Sequence, residues 1–145
     1  IVLRIMSIEA DARWLRRVVV LVRQSDRQPV ELGAIRIQLS AFDDEPRARI
    51  QECFTPLGAI LREFGIPYIS QPDCFVRVQP WPEARQLLGL TSDVALFGRR
   101  NTLRHRERGD LLADVLEILP PLPSRAAGRE DQNDHDAVQA CQRKL

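Results

Sequence analysis

Cysteine is scarce in this chain of 145 residues: Cys53, Cys74 and Cys141 are the only ones, widely spaced and with no C-x-x-C pair. That excludes a disulfide framework and the common zinc spacings, and it suits a reducing cytoplasm. Histidine is scarcer still, with His105 and His135 far apart in sequence, so no metal is expected. Long apolar runs are missing. The longest, Val18 to Val22, is strand-sized and far below the roughly 18 residues of a membrane span. A large excess of one charge is also missing. The net charge of +1 argues against a dedicated nucleic-acid binder, although Arg99, Arg100, Arg104 and Arg106 cluster. Such a cluster could meet phosphate or equally serve one small anion. Ile1 is not a start methionine, the opening residues show no charged-then-apolar leader pattern, and the start reads as the edge of a fragment.

What remains is the composition of an ordinary folded domain, 44% apolar and 28% charged. Val2 to Ile8 alternates loosely as a strand. Trp14 to Arg23 is rich in β-branched residues, and Val30 to Leu39 alternates. The polar run Ser25-Asp26-Arg27-Gln28-Pro29 joins the last two as an antiparallel hairpin. The period then changes. Ser40 is a plausible N-cap, and Pro46 places the helix start near Asp44 or Glu45. Leu57, Ile60, Leu61 and Phe64 follow helical spacing, and Gly65 ends that helix. Pro67 to Gln71 reads as loop, Cys74 to Val78 as a strand, and Pro82 to Leu88 as a short helix closed by Gly89. Two further strands, Asp93 to His105 and Leu111 to Leu119, flank the turn Arg106 to Asp110. The sum is an α+β domain: a mainly antiparallel sheet of about six strands with helices packed on one face. Residues 1–123 form that domain. Residues 124–145 lack an apolar face and read as a mobile tail.

Four segments, in order, resemble the chorismate pyruvate-lyase (4-hydroxybenzoate synthase) family: Trp14-Leu15-Arg16-Arg17, Thr55-Pro56-Leu57-Gly58, Leu96-Phe97-Gly98-Arg99-Arg100, and Gly109 to Pro120. The chain starts after the two helices that open that family, and residues 62 to 92 run longer than in its short members. The resemblance implies a small cytoplasmic lyase of ubiquinone biosynthesis. It would eliminate pyruvate from chorismate without metal or cofactor, leaving 4-hydroxybenzoate or an isomer. Its partner would be that small molecule or a related aromatic carboxylate.

The same resemblance places the site. Arg16 falls on the arginine that binds a substrate carboxylate, which suits a planar, bidentate guanidinium. The alternative is that Arg16 is a solvated edge residue and its neighbour Arg17 the buried one. Leu57 falls on a leucine whose backbone meets the substrate. Counting from Gly109 makes Glu117 the catalytic carboxylate, counting back from Pro120 gives Leu116, and counting from Gly98 gives Asp114. The reading favours Glu117, with Arg16 and Glu117 lining one pocket. The same fold also carries the effector-binding domains of GntR-type transcription regulators, which bind small ligands and catalyse nothing. A non-catalytic binding domain of that kind is the alternative function.

Overall fold

A computed structural model describes residues 1–121; the expected tail at 124–145 lies outside the described residues. Six strands are present: β1 (Val2–Ala10), β2 (Trp14–Val22), β3 (Pro29–Gln38), β4 (Tyr68–Val78), β5 (Leu96–His105) and β6 (Leu111–Leu119). Three helices join them: α1 (Asp44–Gln51), α2 (Leu57–Glu63) and α3 (Pro82–Leu88). The strands form one sheet in the order β1-β2-β3-β6-β5-β4, and every neighbouring pair is antiparallel. This is the α+β class expected, with both expected hairpins, β2–β3 and β5–β6, in place.

The local differences have physical causes. Ser40 does not cap a helix. It sits in a 3-10 turn, Leu39–Ala41, and Asp43 takes the position before α1, with Asp44 and Glu45 in the first turn where the positive helix end favours acids. Strand β4 starts at Tyr68, well before the expected Cys74. It is an edge strand that is exposed along most of its length, so Ser70-Gln71-Pro72-Asp73 carries no apolar alternation to betray it. Pro72 and a register shift between Pro72 and Cys74 interrupt its ladder, as expected of a managed edge.

The two faces of the sheet are covered diagonally. On the first face, α1 and α2 form a layer over one end. Leu15, Ile37, Leu103 and Ala113 meet Ile50, Leu57, Ile60 and Leu61 there. The opposite end of the second face is capped by α3, whose Ala84 and Leu88 pack on Val20, Val22, Leu32 and Ile118. The burial of β2 records the change of side. Leu15, Arg17 and Val19 are buried on the first face, then Val20 and Val22 on the second. Each fully buried Leu or Ile contributes about 1.5–3 kcal/mol relative to exposure.

His105 is buried at the end of β5, where its backbone N–H donates to the Asp110 carbonyl. Its Nδ1 accepts the backbone N–H groups of Glu107 and Arg108, both at 3.3 Å, so the imidazole organises the β5–β6 turn.

Candidate functional site

Cross-strand register decides which side chains share a face, because partners in an antiparallel ladder point the same way. On the second face one row reads Glu9, Arg16, Arg36, Asp114, Thr102, Gln71 across all six strands. The next row reads Ser7, Val18, Ala34, Leu116, Arg100, Cys74. Apart from Thr102 and Gln71, the residues of these two rows line an open groove of about 740 Å³, and Val76 extends its apolar floor. Its size falls in the range of small-molecule sites.

The polar row is held by charge. Asp114, whose side chain is only 16% exposed, pairs with Arg36 at 2.5 Å and lies 3.9 Å from Arg100. It also accepts a hydrogen bond from the Thr102 hydroxyl at 3.5 Å. Arg36 stacks over the Trp14 ring at 4.7 Å, so its guanidinium is oriented by a carboxylate and an aromatic face together. Arg16 stands directly opposite Arg36 in the β2–β3 ladder, a like-charge pair. Its recorded ion-pair partner is Asp11 at 3.6 Å. Backbone N–H groups of Arg13 and Trp14 hold the Asp11 carboxyl below the usual range, with Arg16 as a smaller cause.

The first face carries a different set. Glu117 stands opposite Gly33 and Arg99, ion-pairs with Arg99 and accepts an N–H from Asn101 at 2.8 Å. Arg16 and Glu117 therefore lie on opposite faces, and the expectation that they line one pocket is corrected. The physical reason is strand parity: the β3 residue between Arg16 and β6 is Arg36, whose partner is Asp114. Counting from Gly98 finds the carboxylate on Arg16's face; counting from Gly109 does not. Leu57 is buried in α2 beneath the first face, away from the groove.

Arg17 is the residue whose environment the sequence left open. It is 3% exposed, and its guanidinium donates to the carbonyls of Cys53 at 3.4 Å and Thr55 at 3.2 Å. Its Nε has no protein acceptor. Burial pulls its pKa below the ordinary arginine value, with the neighbouring Cys53 opposing. Arg17 ties β2 to the link between α1 and α2, where Cys53 adopts a positive φ of 63°.

Glu31, also half-buried, has its pKa raised by burial first and by Glu117 second, with Arg99 opposing. A raised folded-state value means the protonated form favours folding, and that contribution fades as pH rises through the folded-state pKa. Glu31→Gln should therefore raise the melting temperature at pH 7. The gain should vanish below about pH 4, where Glu31 is protonated in both states. Melting curves across pH check this; an equal gain at pH 3 and pH 7 would refute the ionisation argument.

Among the described residues, no group of three or more His, Cys, Asp or Glu side chains is placed to hold a metal ion, and no helix is long and apolar enough to cross a membrane.

The chain matches no family model, and no curated protein matches it in sequence. Solved structures do match. A GntR-family transcriptional regulator from Enterococcus faecalis V583 aligns at 16% identity with a TM-score of 0.61, over 90% of this chain and 99% of that one. The ligand-binding domain of a regulator assigned to the GntR family, from Bordetella bronchiseptica, aligns at 16% identity and 0.61, over 90% and 89%. The C-terminal domain of the histidine utilization repressor from Pseudomonas syringae pv. tomato DC3000 aligns at 10% identity and 0.60, over 90% and 99%. The recognition of this chain as a chorismate pyruvate-lyase is corrected by these neighbours, which are regulator domains. With it go the enzyme assignment and the chorismate, pyruvate and ubiquinone setting. In fold, this chain is similar to domains of GntR-family transcriptional regulators.

Proposed function

We propose that this chain is a non-catalytic small-molecule-binding domain, of the kind that serves as the effector domain of a GntR-type regulator. The observation that carries the reading is the groove on the second face: a volume of about 740 Å³ with an apolar floor and a few convergent charged groups. Arg16 contacts the ligand in this reading. Leu57 and Glu117, on the other side of the sheet, stabilise the fold. The likeness to a structure described as a ligand-binding domain supports the same function. A cytoplasmic setting accords with it, since Cys53 and Cys74 are both free thiols.

The test is a thermal-shift screen of small polar metabolites, with hits located by amide chemical shifts. A ligand at 100 times its Kd should stabilise the domain by roughly 2.7 kcal/mol. Hits should perturb Val18, Ala34 and Leu116, and Arg16→Ala should weaken them by about tenfold or more without lowering the melting temperature, because its side chain is 46% exposed. Hits that map to the first face around Glu117, and that survive Arg16→Ala, would move the site there.

A further inference from the structure

We infer that the groove takes a small organic anion with an apolar body, and that Asp114 is a resident carboxylate competing with it for the arginines. This rests on the groove being the ligand site and names the ligand's chemistry.

The argument begins with charge along the rows. The side chains that face the groove include three arginines, Arg16, Arg36 and Arg100, against two acids, Glu9 and Asp114. The cationic excess is centred on the β2–β3 ladder, where Arg16 and Arg36 stand in register. Two like charges opposite each other cost stability unless an anion lies between or beside them. Asp114 supplies that anion for Arg36 and reaches toward Arg100, while Arg16 turns to the exposed Asp11. A ligand carboxylate seated between Arg16 and Arg36 would satisfy both guanidinium groups, since their planar forks match carboxylate geometry.

The second row sets the rest of the molecule. Val18, Ala34 and Leu116 make a flat apolar strip beside the charged row, with Val76 at its far side. A ligand with its anion on the polar row lays its body across that strip. A bare inorganic anion satisfies the arginines and leaves the strip wet. A neutral apolar molecule covers the strip and leaves Arg36 to Asp114 and Arg16 to the exposed Asp11.

Asp114 then sets affinity. It is largely buried and already bonded to Arg36 and Thr102. A second anion must approach that carboxylate and share or take its arginine. Removing the carboxylate should tighten binding, the reverse of what is expected of a catalytic or ligand-contacting acid.

The experiment titrates benzoate, hexanoate, inorganic phosphate and benzyl alcohol into the protein, with Asp114→Asn, Asp114→Ala and Arg36→Gln alongside, followed by amide shifts. Thermal melts confirm that each variant is folded, and the two Asp114 variants guard against a packing effect of either one. Expected results are groove shifts with benzoate or hexanoate, and binding of phosphate and benzyl alcohol weaker by about tenfold. Both Asp114 variants should bind the organic anion roughly three to ten times more tightly, and Arg36→Gln should lose it. Comparing benzoate with hexanoate tells whether the strip selects a planar body. Benzyl alcohol equalling benzoate, or Asp114 variants binding no better than the parent, overturns the inference while leaving the groove as a binding site. No probe shifting the groove at millimolar concentration overturns the inference and the proposed function together.

Discussion

Arg17→Ala should cost about 3 kcal/mol of stability and lower the melting temperature by roughly 10 °C. Two effects add. The carbonyls of Cys53 and Thr55 lose their donor, and a large buried side chain is replaced by a methyl group, leaving a void between β2 and the α1–α2 link. Arg17→Met separates the two effects, because it fills most of the volume and keeps the carbonyls unpaired. Both variants remove the buried cation and its desolvation cost alike, so the volume that methionine keeps should make it milder than alanine. Denaturant melts of both variants measure this. Arg17→Ala melting with the parent protein would show that the arginine is dispensable and that the carbonyls find other donors.

Gly98→Ala should have a comparable effect by the opposite route, overpacking. A methyl group on Gly98 would come within 2.2 Å of the Glu117 backbone oxygen and 3.1 Å of the Ile118 Cα. These are backbone atoms of the paired strand, so no side chain can swing aside. Strands β5 and β6 must part locally, which disturbs the register that holds Arg99 against Glu117. The expected cost is about 1–3 kcal/mol, or about 3–10 °C. Gly58→Ala is the contrast, since a methyl group there meets nothing within 4 Å and α2 gains a better helix former. If both alanine variants melt at the parent temperature, the close approach at Gly98 is not a constraint.

The hairpins were legible because turn chemistry and β-branched runs are local signals. Both β2–β3 and β5–β6 stand where Ser25 to Pro29 and Arg106 to Asp110 place them. The helices were legible from Gly65 and Gly89, which stop α2 and α3 in left-handed conformations at φ 61° and 64°. What was not legible is facing. Arg16 and Arg17 are identical side chains on adjacent strand positions, so composition cannot say which is buried; the cover supplied by Cys53 to Leu57 decides it. The same holds for Asp114 and Glu117. Motif counts differ by a few residues, and each single step reverses the face. The lyase resemblance rested on short segments that mark strand starts, a helix start and a turn, and those features accompany a fold whatever it binds. The groove was hidden for a related reason: its lining comes from all six strands, and no short stretch of chain contains it.

The diagonal cover of the sheet has a consequence for how the chain finds its alignment. A strand with uniform period-2 burial can slide by two residues and still present every apolar side chain to the same side. Strand β2 cannot. Its buried positions switch from Leu15, Arg17 and Val19 to Val20 and Val22, so the pattern has a phase reversal between Val19 and Val20. A two-residue slide preserves parity but moves that reversal away from the gap between the two helical layers. It would push an apolar side chain into solvent at one end and a polar one under a helix at the other. The break in phase therefore acts as a landmark along an otherwise repetitive ladder, and it removes the near-degenerate alignments that a run such as Val18-Val19-Val20-Leu21-Val22 would otherwise permit.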